Sequence, residues 1–210
     1  MNAVSAATLA VLATVAYAAL HSLLASLGAK ANARRLFGPL SDRIYRLGYN
    51  VIGAVTLLPV LAIPALEPGP VLYRIPSPLS WLFLAGQATA AVLIVIGILH
   101  TDAWHFLGLR QVVGPARGAE SKLVTTGLYR YVRHPLYTAG LLFLWLTPVM
   151  TTTLLALFLS LSLYLYVGSY FEERRLLAEF GDAYADYQRR VPRLIPLPAR
   201  VSTPRRPTRL

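Results

Sequence analysis

The residues of this sequence with the greatest capacity for chemistry stand close together in its last third. The densest polar cluster is Gly127-Leu128-Tyr129-Arg130-Tyr131-Val132-Arg133-His134-Pro135-Leu136-Tyr137-Thr138-Ala139-Gly140, and Glu172 and Glu173 follow at the end of an uncharged stretch. Pro135 fits the first turn of a helix, where no backbone N–H is needed. The free N–H groups of such a turn, with the positive end of the helix dipole, suit a ligand carboxylate or ribose. Two carboxylates beside an Arg-His pair at a water–lipid boundary suit a cationic or zwitterionic cofactor. The plainer reading makes Arg130, Arg133 and the Glu pair interfacial charges that snorkel toward water. The residues alone leave both readings open.

The elements that must position these groups are apolar helices. The 210 residues are 56% hydrophobic and 14% charged, where soluble domains carry roughly 25% charged residues. No Asp, Glu, Lys or Arg occurs from Met1 to Ala29, nor from Leu141 to Phe171. A helix needs about 20 apolar residues to cross a hydrocarbon core. Five apolar segments satisfy or approach that length: Val4 to Leu27, Ile44 to Leu66, Leu79 to Leu99, a short one from Leu136 to Val149, and Thr151 to Phe171. The first is helix-length and lacks a basic leader, so it reads as a span and not as a signal peptide. Pro59 and Pro64 are expected to kink or end the second segment, and Pro68, Gly69, Pro70, Pro76 and Pro78 to make a non-helical loop after it. The fourth and fifth segments are separated only by Thr147 to Thr151, which implies an antiparallel helical hairpin. That hairpin returns Glu172 and Glu173 to the membrane face of His134.

Lys and Arg count out an orientation. The Lys30–Arg46 stretch holds five, the loop at Arg74 one, Arg110–Arg133 five, the Pro148 turn none, and the tail from Arg174 nine. Rich and poor connections alternate, as the positive-inside rule requires of a protein with about five spans, its N-terminus outside and its C-terminus and active site cytoplasmic. The expected fold is therefore an all-α integral protein of a bacterial inner membrane. Residues 1–100 form an N-terminal three-helix membrane region, 101–198 a catalytic core, and 199–210 a disordered Pro/Arg tail. Leu176, Leu177, Phe180, Tyr184 and Tyr187 recur at helical steps, an amphipathic helix continuing the fifth segment and weakened at Gly181. The net charge of +11 fits cytoplasmic loops and anionic lipid, with no nucleic acid. Nothing calls for an obligate protein partner. With no cysteine, neither a disulfide nor a thiolate nucleophile is available.

Leu123-Val124-Thr125-Thr126-Gly127-Leu128-Tyr129, Arg133-His134-Pro135-Leu136-Tyr137, Glu172-Glu173, Phe180-Gly181 with Tyr184 and Tyr187, and Val191-Pro192-Arg193 occur in that order over roughly the last ninety residues. In this pattern the chain resembles the isoprenylcysteine carboxyl methyltransferase family of membrane methyltransferases. The resemblance implies S-adenosylmethionine as cofactor, a cytoplasmic pocket capped by the C-terminal tail, and a lateral opening to lipid. It places cofactor contacts at Leu123, Val124, Tyr129, His134, Pro135, Tyr137 and Glu172. Gln111, Glu173, Tyr184 and Tyr187 join them as candidates, with His134, Arg133 and Arg193 as candidate catalytic residues. Tyr129 and Tyr137 would cover the adenine or, through cation–π attraction, the sulfonium; Glu172 would pair with the ammonium. Prenylcysteine enzymes carry an Arg about one turn before that Glu, whereas Gly168 stands here, which speaks against a carboxylate-bearing acceptor. Leu107 to Val112, Trp145 to Thr151 and His21-Ser22 are similar to bacterial methanethiol S-methyltransferases, which points to a small or lipophilic thiol as the methyl acceptor.

Other polar residues carry less. His100, Asp102 and His105 lack a fourth ligand and read as interfacial residues, with no metal site. His21 reads as a satisfied buried histidine or as a pocket residue that, like His134, takes up a thiol proton. Arg193 either reaches the ligand or anchors the tail. Phospholipid or prenylcysteine methylation, an NADPH-dependent membrane reductase and a non-catalytic membrane component are the alternatives. Transport fits poorly, because no ionisable residue lies mid-segment.

Overall fold

The computed structural model describes residues 3–100, 103–113 and 123–196. Helix α1 (Ala3–Ala25) is followed by α2 (Leu27–Phe37), α3 (Pro39–Leu66), strand β1 (Val71–Arg74), α4 (Leu79–His100), and the short α5 (Ala103–Leu107) and α6 (Leu109–Val113). A 3-10 turn at Gly127–Arg130 leads to α7 (Pro135–Trp145), strand β2 (Val149–Thr151), α8 (Thr152–Phe180) and α9 (Asp182–Arg190). Asp102, the middle of the 101–135 linker and the 199–210 tail lie outside the described residues.

The helices Val4–Ala25, Pro39–Leu66, Leu79–His100 and Thr152–Phe180 are long and apolar enough to cross a membrane, and Pro135–Trp145 is a shorter apolar helix. Their outward faces carry large exposed apolar side chains, such as Val55, Leu82 and Leu163. In water such surfaces would be an aggregation hazard; in lipid they are the required face of an integral membrane protein.

Helix association in lipid depends on close backbone approach at small residues. Ala6, Ala10 and Thr14, four residues apart on α1, are fully buried where α1 meets α3 and α8. Ala10 joins Val60, Met150, Leu157 and Phe158 in the apolar core. Gly86 and Gly97 let α4 lie along α7 in the same way. A Cβ at either would stand 2.7 Å from a leucine methyl, of Leu146 and of Leu136 respectively.

At four places the structure refines the sequence reading. Neither Pro59 nor Pro64 ends the second segment: α3 runs through both to Leu66, because neighbouring helices support a proline-bearing span. The chain is not wholly helical. The loop after α3 and the turn before α8 contain β1 and β2, which pair antiparallel with Val71 opposite Thr151 and Arg74 opposite Val149. Three- and four-residue strands are too short for an alternation signal. The polar connection after α1 is itself helical, starting at Ser26, whose Oγ accepts from the Ala29 N–H at 3.1 Å. Finally, the amphipathic helix continues the fifth segment only as far as Phe180. Gly181 has φ +54, a left-handed conformation that ends the helix, and α9 starts anew.

Helix α7 is shorter than its apolar segment. Eleven residues rise about 16 Å, so its last turn ends beside α4 rather than at a helix terminus in water. Gln87 of α4 meets it there, donating from Nε2 to the Phe143 carbonyl (2.9 Å) and to Thr147 Oγ1 (3.1 Å). Replacing Gln87 by leucine leaves that carbonyl unpaired in an apolar layer, with an expected loss of about 1–3 kcal/mol. A lowered melting temperature of Gln87→Leu in detergent, restored by Gln87→Asn only in part, checks this.

Candidate active site

The corner begins at the N-terminus of α7. Its two preceding backbone N–H groups are taken: Arg133 N–H donates to the Pro192 carbonyl (2.9 Å) and His134 N–H to the Arg193 carbonyl (3.1 Å). Thr138 Oγ1 adds a bond to the Leu194 carbonyl at 2.6 Å. The extended path imposed by Pro192 and Pro196 thus zips 192–194 against the entrance of α7 and caps the corner with the tail.

Glu172 and Glu173, adjacent on α8, face different surroundings. The Glu173 side chain is 4% exposed. Its carboxylate accepts from Arg133 Nε (2.6 Å), Gln188 Nε2 (3.2 Å) and Arg193 Nε (3.1 Å), with His134 Nε2 at 3.3 Å. Arg133 is held in turn by its Nη1, which donates to the carbonyls of Gln188 and Val191. One carboxylate therefore ties α7, α8, α9 and the tail together. Glu172, with a side chain 37% exposed, accepts from Tyr137 Oη at 2.8 Å and lies 3.5 Å from His134 Nδ1. The His134 and Tyr137 rings stack at 5.2 Å and 9°, so the open carboxylate is bordered by a flat aromatic wall.

Tyr129 lies near this carboxylate. Burial, and secondarily the charge of Glu172, push its phenol up to about 12, so it is neutral at any physiological pH. Its carbonyl accepts from Tyr187 Oη at 2.6 Å. Tyr184 and Tyr187 are almost wholly buried beneath the corner. Burial raises both phenols, Tyr187 to about 12.

Of the candidate residues, the structure brings together Arg133, His134, Pro135, Tyr137, Glu172, Glu173 and Arg193, with Tyr129, Tyr184 and Tyr187 around them. Leu123 and Val124 form the half-buried approach to the 3-10 turn. Gln111 sits on α6, which packs on α3 and α5. Among the described residues no group of three metal-ligating side chains comes together.

Next to the corner is a cavity of about 400 Å³ lined from α1 by His21 and Ser22, from α3 by Tyr49, from α7 by Tyr137, and from α8 by Tyr164, Gly168 and Arg175, among others. Tyr137 is common to corner and cavity. Sequence reasoning missed Tyr49, Tyr164 and Arg175. The only available signal was their position at the ends of apolar segments expected to meet on one membrane face.

Residues 85–183 match the phospholipid methyltransferase family. The chain is 43% identical over 121 residues to methanethiol S-methyltransferase 2 of Bradyrhizobium diazoefficiens, covering 56% of this chain and 46% of that protein. It is 38% identical over 122 residues to the methanethiol S-methyltransferase of Mycobacterium tuberculosis, covering 57% and 48%. To the protein-S-isoprenylcysteine O-methyltransferase of Schizosaccharomyces pombe it is 35% identical over 135 residues, covering 59% and 56%. The chain thus spans about half the length of the curated relatives it matches. No solved structure matches it significantly. Residues 85–183, which include Arg133, His134, Tyr137, Glu172 and Glu173, thus match the phospholipid methyltransferase family model, and the chain resembles the isoprenylcysteine carboxyl methyltransferase-like membrane methyltransferases, bacterial methanethiol S-methyltransferases included.

Proposed function

We propose that this chain is an S-adenosylmethionine-dependent methyltransferase of the bilayer, transferring a methyl group to a small or lipophilic acceptor, in the first place a thiol. The observation that supports it above all is the division of labour between neighbouring glutamates: Glu173 is saturated by internal partners while Glu172 stays open beside a stacked His–Tyr wall. The donor set fits the cofactor: a carboxylate for its ammonium and aromatic faces for its sulfonium and adenine. The cofactor, when bound, supplies a methyl group already activated on a sulfonium sulfur. The chain then has to align the acceptor and exclude water, which is worth about 7–11 kcal/mol.

In this reading Glu172, His134, Pro135, Tyr137 and Tyr129 border the cofactor, with Leu123, Val124 and Gln111 completing the approach. Arg133, Arg193, Glu173, Tyr184 and Tyr187 hold that wall in place rather than act on the acceptor. Gly168 lines the cavity without a side chain to meet a carboxylate, which favours a thiol over a prenylcysteine. The fourth crossing is half helix and half extended chain: α7 and α8 run antiparallel, with Tyr137 on Glu172 and Trp145 Nε1 on Ser162 Oγ, and β2, paired with β1, completes the span. That gives five crossings, with the corner cytoplasmic and 1–100 and 101–198 as the membrane region and catalytic core.

Labelled methyl transfer from S-adenosylmethionine to a panel of lipid and thiol acceptors tests the proposal. A small hydrophobic thiol is expected to be methylated at least tenfold faster than a prenylcysteine analogue. Exclusive labelling of the prenylcysteine would overturn the thiol assignment, and no labelling at all the methyltransferase reading.

A further inference from the structure

The cavity beside the corner draws as much on the N-terminal half of the chain as on the segment that matches the family. At its inner wall Tyr49 Oη and His21 Nε2 are joined by a short hydrogen bond. The His21 ring is held between Tyr17 (5.4 Å, stacked) and Tyr49 (4.5 Å). It also packs on Gly53, where a Cβ would stand 3.0 Å from both Cε1 and Nδ1. His21 Nδ1 is buried there without a hydrogen-bond partner among the described residues.

That buried nitrogen decides where the hydrogens lie. A neutral imidazole carries one N–H. Placed on Nδ1, it would be sealed against Gly53 with no acceptor, whereas on Nε2 it donates to Tyr49 Oη; a buried N–H without an acceptor is the rarer and costlier arrangement. Tyr49 therefore accepts from His21, and its own O–H is left to point into the cavity it lines. Arg175 lines the same cavity, its charge acting on Tyr49 and Glu172, and makes no hydrogen bond or salt bridge to another described residue. Cations gather on this side: burial, then Arg175 and Arg46, hold the Lys30 ammonium below its ordinary range. The rim is apolar, with Leu27, Val167 and Phe171 exposed toward the lipid.

Resting on the methyltransferase reading, we propose that this cavity binds the acceptor as a thiolate, its sulfur held between the Tyr49 hydroxyl and the Arg175 guanidinium. The hydrophobic part of the acceptor enters from the lipid past Leu27, Val167 and Phe171. On binding, the S–H bond breaks, the electron pair stays on sulfur and the proton leaves to solvent. Nothing is oxidised or reduced. His21 is a positioning residue: its N–H fixes the Tyr49 oxygen as an acceptor and so commits the Tyr49 proton to the sulfur. The charged and titratable groups around Tyr49 are His21 from α1, Lys30 from α2, Arg46 of its own helix, Tyr137 from α7, and Glu172 and Arg175 from α8, with the phenols of Tyr17, Tyr45 and Tyr164 beyond. Lys30 and Arg175 set against the one Glu172 carboxylate leave an excess positive charge, which favours the ionised sulfur.

Calorimetry of benzyl mercaptan binding to the full-length protein in nanodiscs, at pH 7 in two buffers of different ionisation enthalpy, counts the protons released. An unperturbed thiol titrates near 8.5, so close to one proton per bound thiol is expected from the wild type. Tyr49→Phe and Arg175→Gln should each weaken binding about 10- to 100-fold and cut the proton count well below one. His21→Asn should lower the count with a smaller loss of affinity. Binding by the wild type without proton release, an unchanged count in both Tyr49→Phe and Arg175→Gln, or uptake of hexanoate in preference to the thiol would each overturn the proposal. Methyl transfer is scored separately. Proton-coupled binding without transfer would leave this site standing and sink the enzyme assignment, whereas transfer without proton release would do the reverse.

Discussion

Glu172→Ala is expected to lose S-adenosylmethionine binding while the protein remains folded. Its carboxylate's hydrogen-bond and ion-pair partners among the described residues are Tyr137 and His134, and more than a third of the side chain is open, so its removal leaves no buried charge behind. Truncating one partner of a hydrogen-bonded charge pair at a binding site costs about 2–5 kcal/mol, which is a loss of affinity of about thirtyfold or more. Titration calorimetry in detergent or nanodiscs reads the affinity, and a melting curve on the same sample reads the fold. His134→Ala should also weaken binding, through loss of the wall stacked on Tyr137. Unchanged affinity in both variants would remove the corner from the cofactor site.

The opposite pattern is expected one residue further on. Glu173→Ala leaves Arg133 and Arg193 facing each other across a space with no counter-charge, and Arg133 is itself nearly inaccessible. Breaking a buried ion pair from one side costs about 3–5 kcal/mol, a large part of the stability of a domain this size. The variant should melt far below the wild type or fail to accumulate in the membrane. Glu173→Gln, which keeps an acceptor of the same shape, should recover part of the loss. A Glu173→Ala protein that melts normally yet no longer binds the cofactor would show instead that both glutamates face the ligand.

These two predictions differ although the residues are neighbours of the same type; the resemblance placed a cofactor contact at Glu172, but residue type and spacing gave no ground for separating the two. Spacing along a helix turns adjacent side chains about 100° apart, but what each then meets depends on elements distant in the chain. Glu173 is turned toward Gln188, Arg193 and Arg133, and Glu172 toward Tyr137. The motif residues were legible because they are an ordered pattern of types, and the structure gathers most of them around one corner. Arg133 and Arg193 were candidates by residue type and position, and the ion pair that each makes with Glu173 is visible only in the structure. The same limit hid Tyr49 and Arg175, which line one cavity only because α3 and α8 meet beside α1.

By itself the sequence determined that the chain carries long apolar segments suited to lipid, where the cations concentrate, and which residues form the densest polar cluster. Hydropathy and charge are properties of each stretch taken alone, and no partner is needed to read them. The tertiary structure alone decided that Glu173 is an anchor and Glu172 an open carboxylate, that α3 runs through two prolines, that two short strands pair across the loops, and that α8 stops at Gly181. Each of these depends on what stands opposite in space, and in lipid the close contacts that decide it come from helices far apart in the chain.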